Sequence, residues 1–361
     1  MKSQIDFTGL TQWIHQTLSA YLSPGWVLTL ELVASVLAII VMIVVMVILM
    51  IYAERKIAGF MQLRLGPMRV GWCGSGQAIA DVLKLLLKEC VTPFQADKLL
   101  FSLAPFVVLA TSFLSIMPFS YAPGLQLWDI NIGVLYVTAV SSISVMGVMM
   151  AGWASHNKYS LLGAMRSGAQ IVSYELSMGM ALVTIIAMSG ALSVNDIIMS
   201  QADGWWLFKG HVPAIFAFVI FIIASTAELN RAPFDLAEAE QELTAGFHTE
   251  YSGMQFAMFF LAEYSNMLIA SMMAATVFLG GWQPLHIRGL DGFNQVMDFI
   301  PGILWFFGKI FFVIFLIMWF RWTFPRLRID QLLRLEWKYL LPISIVNVIL
   351  AACVAVFGWY L

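Results

Sequence analysis

Residues 224–250, ASTAELNRAPFDLAEAEQELTAGFHTE, hold six carboxylates, and Arg231 is the one Lys or Arg among them. Apolar runs flank this stretch on both sides, in a chain that is 61 % hydrophobic and 11 % charged. Pro233 cannot continue a helix and biases Ala232 away from helical geometry, so the incoming helix is expected to end near Arg231. Asp235 with Glu238 three residues on forms an Asp variant of the capping box, which predicts a new helix there. On that helix Glu238 and Glu242 share a face, with Glu240 to one side. Carboxyls this close raise one another's pKa and exchange protons as a group. Ordinary solvation of a surface loop would account for the same acids.

Four carboxylates, Glu228 of this stretch and three more, fall inside or at the ends of apolar runs: Glu31, Glu175 next to Tyr174, Glu228, and Glu263 before Tyr264. An ionisable group at membrane depth costs roughly 2.5–3.5 kcal/mol on insertion scales, and it marks a pathway or a paired site by default. Glu228 has a local partner in Arg231 three residues on, whereas Glu175 and Glu263 have none. Of the cations, Arg321 ends an apolar run beside Trp322, and Pro325 holds Arg326 at a turn. Either guanidinium would balance the acidic stretch if both faced one cavity.

These groups must be positioned by membrane helices. The mean hydropathy is +0.85, and several apolar runs exceed the roughly 18 residues that mark a span. Eight helices are expected, near 28–52, 99–120, 131–154, 167–190, 212–231, 252–280, 303–322 and 339–360. Between the first two, Gln62-Leu63-Arg64-Leu65-Gly66-Pro67 reads as a turn. Beyond it Gln77, Asp81, Lys84 and Lys88 form one polar stripe on an otherwise apolar helix, too short to span, that belongs in the interface or over a cavity. The fold class is thus an all-α integral membrane protein with eight transmembrane helices plus an interfacial amphipathic helix. Residues 1–27 do not read as a signal peptide and are expected to form an interfacial helix or a loose tail before a membrane domain over 28–361.

Lys and Arg set the orientation. Of the 19, all but Lys2, Lys209, Arg288 and Lys309 fall in or beside four segments, 53–98, 155–166, 229–252 and 323–338. The positive-inside rule makes those loops cytoplasmic and puts both termini on the outer side. Other chemistries find little support. Cys73, Cys90 and Cys353 are far apart with no ligand spacing, so an iron–sulfur cluster or a zinc or other metal site is not expected. His156, His211, His248 and His286 fall in loops or at span ends, which disfavours haem. The basic residues are too scattered for nucleic acid.

Six motifs in chain order carry a resemblance. GSGQAIADVLKLLLKE (74–89), ELNRAPFDLAEAEQELTAG (228–246) and RWTFPRLRIDQLLRLEWK (321–338), with ERK and QLRLGP (54–67), SYE (173–175) and AEY (262–264), resemble the membrane H subunit of respiratory complex I, NADH–quinone oxidoreductase. The resemblance spans about residues 28–360. It implies a core subunit of a proton-pumping enzyme of the bacterial inner membrane, carrying no redox centre of its own. Its partners would be hydrophilic B, D and I type subunits, membrane A, J and K type subunits, and the lipid bilayer. The substrate would be a quinone, ubiquinone or menaquinone. Arg55, Arg64, Phe234, Arg321 and Arg326 would lie in the quinone chamber or its entrance. Asp235, Glu238, Glu240 and Glu242 would connect it to Glu228, Glu175 with Tyr174, and Glu263 as a proton path. The equivalent subunit of a membrane-bound hydrogenase or ferredoxin-driven complex, which shares the family's ancestry, is a second reading. A stand-alone secondary transporter is a third reading, weakened by the absence of a visible repeat.

Overall fold

The computed structural model describes residues 8–21, 23–237, 240–287 and 290–359. A short helix α1 (Thr8–Ser19) precedes α2 (Pro24–Met61), whose Pro24 occupies the first turn, where its missing N–H is harmless. The amphipathic α3 (Gln77–Leu87) follows, then α4 (Lys98–Ser115), capped by the Asp97 carboxylate at Leu99 and Leu100 N–H. A two-stranded hairpin, β1 (Ser120–Ala122) and β2 (Leu125–Gln126), leads to α5 (Gly133–Ala154) and α6 (Lys158–Ser189). The latter is capped by Asn157 and ended by Gly190 at φ +71°. Two short helices, α7 (Val194–Met199) and α8 (Trp206–Lys209), precede α9 (His211–Glu228). Beyond the acidic loop, with its one-turn α10 (Glu240–Leu243), come α11 (Gly253–Val277), α12 (Asp291–Met297) and α13 (Gly302–Thr323). Last come α14 (Ile329–Leu335) and α15 (Leu341–Phe357), joined by a π turn over Glu336–Leu340.

Eight helical segments are long and apolar enough to cross a membrane, among the described residues, with α14 and α15 counting as one. Burial ranks them. The most apolar windows of α6, α9 and α11 are 56 % buried, while that of α2 is 11 % buried and that of the α14–α15 segment 22 %. The first three make the centre, and α2 and α15 flank it with large lipid-compatible surfaces.

Loops meet at two ends of the bundle. At one end the Asp97 N–H donates to Ala154 O at 3.2 Å, Val91 N–H to Ser252 Oγ at 2.9 Å, and Leu327 N–H to Pro233 O at 3.1 Å. At the other, Leu207 N–H donates to Phe278 O at 3.0 Å, Val134 N–H to Leu192 O at 3.1 Å, and Lys309 Nζ to Gly281 O at 2.8 Å.

The second span ends at Ser115 rather than 120 and the fourth begins at Lys158 rather than 167, and three further helix ends differ from the expectation for a local reason. The first span runs to Met61 rather than residue 52. Its last turns, AERKIAGFM, continue the stripe Val47, Ile51, Glu54 and Ala58 at i, i+4, i+7 and i+11, all buried. At 38 residues it is roughly 57 Å long, far more than a bilayer core of about 30 Å, so its charged end stands clear of the apolar zone. The fifth span stops at Glu228, short of Arg231, because Asn230 takes φ +50°. The last span starts at Ile329, ten residues before the expected 339, because the π turn continues the helix through Glu336. Within residues 1–27, α1 is helical and largely exposed, and His15 Nδ1 lies 3.0 Å from Glu31 Oε1 on α2.

Candidate functional site

Two helix ends, the middle of a third helix and one loop converge on a charged cluster. Glu54, on the protruding end of α2, is 5 % exposed. Arg231, in the loop that follows α9, is 4 % exposed. Arg231 Nη1 donates to both Glu54 carboxylate oxygens at 3.1 Å. Arg321, in the last turn of α13, donates to the same Glu54 Oε1, and Tyr264 Oη on α11 donates to Glu54 Oε2 at 2.8 Å. On its other edge, Arg231 Nε is 2.6 Å from Glu263 Oε1, and its guanidinium lies over the Tyr264 ring at 4.5 Å. Desolvation works against the Arg231 charge, but Glu263 and Glu54 outweigh it and hold the guanidinium well above its ordinary pKa. The expected local pair with Glu228 does not form; Arg231 bridges α2 and α11 instead.

The cluster walls a cavity of about 350 Å³, lined by Glu54, Arg55, Arg64, Pro67, Arg231, Phe260, Glu263, Tyr264, Arg321 and Trp322 among others. That volume lies within the roughly 300–1,000 Å³ typical of small-molecule sites. Its wall mixes aromatic faces with cationic donors: Trp322 lies under the Arg321 guanidinium at 5.5 Å, and Phe260 meets Tyr264 at 5.0 Å. Arg55 is steered by α3, since its Nη1 donates to Asp81 Oδ2 at 2.6 Å while Gln77 Nε2 donates to Asp81 Oδ1 at 3.1 Å. Desolvation raises the Asp81 carboxyl, yet these hydrogen bonds win and keep it below its usual range. The Gln77 and Asp81 end of the α3 polar stripe therefore faces α2, while Lys84 and Lys88 are exposed, as are Ile79, Val82, Leu83, Leu86 and Leu87.

The acidic loop is pinned to this cluster. Gln170 Nε2 on α6 donates to Ala227 O at 2.6 Å and Phe234 O at 2.7 Å. Arg326 Nε donates to Asp235 O at 2.7 Å, and its Nη2 lies 3.2 Å from Asp235 Oδ2. Gly163 lets residues 246–247 lie directly on α6, where a Cβ would stand 2.8 Å from Gly246 Cα. Phe234 does not join the charged cavity. It lines a separate apolar one of about 400 Å³ with Phe218, Ile222, Phe320 and Phe324, and its ring packs 5.6 Å from that of Tyr174. Glu242 is exposed and pairs with Arg166 at 2.7 Å, whose hydrogen bond holds the carboxyl below its usual range. Glu238 lies outside the described residues, as does the side chain of Glu240. The expected capping box falls there too, and the helix that is described begins only at Glu240.

Deeper in the bundle, Glu228 lines a small cavity of about 40 Å³ with Ser141, Ser144 and Asn266. Glu175 is its charged neighbour on α6. Glu263 thus belongs to the loop-end cluster, while Glu228 and Glu175 form a second acid pair inside. Among the described residues no group of three or more His, Cys, Asp or Glu could hold a metal ion.

Sequence reasoning missed Glu54. Its two basic neighbours read as an interface anchor, and only the buried stripe continuing from Val47 to Ala58 signals that it points inward. Tyr264 was legible only as the neighbour of Glu263.

His248, near the end of the acidic loop, packs edge-on against Phe247 and Phe256, with ring centroids 4.9 and 5.3 Å away. Burial pushes its imidazole down to about 4. Its unfolded counterpart takes up a proton near pH 6.5, so this site contributes stability above that pH and loses it as pH falls toward 4. Thermal inactivation of the His248→Gln protein should accordingly depend less on pH between 7 and 5 than that of wild type. Equal slopes would show that His248 is hydrated.

The family description that matches residues 34–352 is NADH dehydrogenase. A protein of Bacteroides thetaiotaomicron is 56 % identical over 98 % of this chain and 99 % of its own. One of Brevibacillus brevis is 46 % identical over 92 % of this chain and 95 % of its own. A third, from Geobacter sulfurreducens, is 46 % identical over 90 % and 95 %. All three are named as the H subunit of NADH-quinone oxidoreductase.

Proposed function

The chain belongs to the family of NADH-quinone oxidoreductase H subunits, and from that premise we propose that it builds the quinone chamber of the enzyme and couples quinone reduction to proton movement. It is a membrane component of a multisubunit enzyme, and the other subunits of that complex are its partners. The observation that carries the reading is the 350 Å³ cavity with Arg321, Arg64, Tyr264 and Trp322 on its wall. A quinone headgroup is a planar ring with two carbonyl acceptors. Aromatic faces suit the ring, and guanidinium donors suit the carbonyl oxygens and the negative charge that grows on them during reduction. Electrons come from partner subunits, in this reading the hydrophilic B, D and I types.

Each group then has a role. Arg321 and Arg64 orient the headgroup or steady its charge at the entrance. Glu54 and Glu263 compensate the guanidiniums, and Arg231 joins them to the loop. Asp235, held by Arg326, with Glu238, Glu240 and Glu242, responds to the redox step. Glu263, Glu228 and Glu175 with Tyr174 carry the response toward the neighbouring membrane subunits of A, J and K type. The 233–235 segment is the element that moves, since it is bound at once by Gln170 and Arg326. Ubiquinone and menaquinone share the headgroup chemistry this site would recognise.

Arg321→Ala and Arg326→Ala should both lower quinone reductase activity while an artificial acceptor upstream of quinone is still reduced. The first frees Glu54 from one of two cations; the second unpins Asp235. Wild-type quinone kinetics in both would reduce these residues to topology signals.

The loop-rich end would face the cytoplasm, with both termini on the periplasmic side of the inner membrane. A membrane-impermeant maleimide should label exposed Cys73 from inverted vesicles, and a Cys placed at Asp203 from intact spheroplasts. Labelling of both from one side would overturn the orientation.

A further inference from the structure

Glu336 is a buried acid that none of the roles above uses. It opens the π turn that joins α14 to α15 and is 1 % exposed. Ser177 Oγ donates a short hydrogen bond to one of its carboxyl oxygens. The other oxygen is buried and has no hydrogen-bond partner among the described residues. No cation pairs with it there, for its helix neighbours Arg334 and Lys338 are exposed; Tyr174 is the titratable group that faces it from α6. Glu336 lies within the Ile329–Phe357 segment that is long and apolar enough to span, and an ionisable group inside a span marks a pathway or a paired site by default. π turns inserted into α-helices also cluster at functional sites.

The turn is bound to one face of α6 at three points. Trp337 Nε1 donates to Ser173 Oγ at 3.3 Å, Tyr174 Oη to Leu332 O at 3.1 Å, and Ser177 to Glu336 itself. Leu332 O also accepts the backbone N–H of Glu336. At its other edge the Tyr174 ring packs on Phe234, whose carbonyl Gln170 holds at 2.7 Å. A displacement of residues 233–235 therefore reaches Glu336 through Tyr174 and Leu332, and through Leu327 and Arg326 at the approach to α14, without passing through Glu263, Glu228 or Glu175.

We propose that Glu336 is a proton-exchanging carboxyl, loaded and unloaded as the 233–235 segment moves, with Ser177 as its positioning residue and relay. Reprotonation moves the Ser177 hydroxyl proton onto the carboxylate while the Ser177 oxygen takes one from a hydronium admitted by that movement, which is left as neutral water. Release runs the same shift backwards, so charge and protons balance. This inference rests on the quinone-chamber reading.

The test uses the intact complex in sealed membrane vesicles. Glu336→Gln should lower proton translocation driven by quinone reduction severalfold, with electron transfer to an artificial acceptor unchanged. Glu336→Asp should restore most of it. Ser177→Ala, which leaves the carboxyl in place, should displace the pH profile of quinone reduction per assembled complex, and it decides the matter if changes at 336 block assembly. Two results would overturn the inference: Glu336→Gln matching wild type in rate, translocation and pH profile, or Asp failing as badly as Gln with an unmoved Ser177→Ala profile. If Arg321→Ala leaves quinone kinetics intact, the chamber reading fails; if Arg321→Ala is impaired and Glu336→Gln is not, only the role of Glu336 fails.

Discussion

Membranes carrying Arg231→Ala are expected to hold little of the assembled protein, and what assembles should not reduce quinone. Arg231 is buried, forks onto Glu54 at 3.1 Å and Glu263 at 2.6 Å, and covers the Tyr264 ring. Without it, two carboxyls on different helices keep Arg321 as their remaining cation. Breaking a buried pair by removing one member costs about 3–5 kcal/mol, a large part of the roughly 5–15 kcal/mol that holds a domain folded. Arg231→Lys should recover assembly better than activity. Its compact ammonium keeps the charge but cannot hold two carboxylates from two sides in fixed geometry. A native gel gives assembled complex per membrane protein, and quinone reductase is then normalised to it. An alanine variant that assembles and turns over like wild type would mean that these ion pairs are solvated and carry no structural weight.

Glu54→Gln is the second large effect. Gln keeps the shape and can still accept from Tyr264, but Arg231 and Arg321 lose the one carboxylate they share. Two guanidiniums then face each other with only Glu263 to balance them. Arg321, no longer anchored, loses its fixed position on the cavity wall. Assembly should survive better than in Arg231→Ala. The kcat/KM for a short-chain quinone should fall by roughly tenfold or more, which is about 1.4 kcal/mol of lost transition-state stabilisation. Glu54→Asp should fall between the two. Glu31→Gln makes the contrast: that carboxyl meets the exposed His15, the pair is worth at most about 1 kcal/mol, and activity should stay near wild type. Equal losses at 54 and 31 would argue for a diffuse charge effect rather than a built site.

What the sequence revealed, and what it hid, follows from how far each interaction reaches along the chain. Eight spans were legible because membrane depth demands long apolar runs, a local property. The inward orientation of Arg321 and the involvement of Arg326 with the acidic loop were legible from position, since both sit at the end of an apolar run near a turn. The partners were not. Arg231 has an acid three residues away in Glu228, yet it pairs with Glu54, 177 residues distant, and with Glu263. No periodicity encodes that choice; it follows from Asn230 turning the chain out of the helix before Arg231 can face Glu228. Phe234 was expected in the quinone chamber or its entrance, and its place in an apolar cavity against Tyr174, where Gln170 holds its backbone against α6, was not legible. Glu336 was hidden among the basic residues of LRLEWK, where only the π turn aims it inward. Local rules found the elements, and tertiary contacts decided which charges meet.

The proposed role depends above all on the cavity between Glu54, Tyr264 and Arg321 receiving the quinone headgroup. The most direct test is photo-crosslinking of the intact complex with a quinone bearing a diazirine on its ring, followed by mapping of the modified peptides. Labels are expected within 54–67, 260–264 and 321–322, competed by unmodified quinone and lost in Arg321→Ala at equal assembly. Competable labels confined to other segments or other subunits, unchanged by Arg321→Ala, would contradict a headgroup site in this cavity.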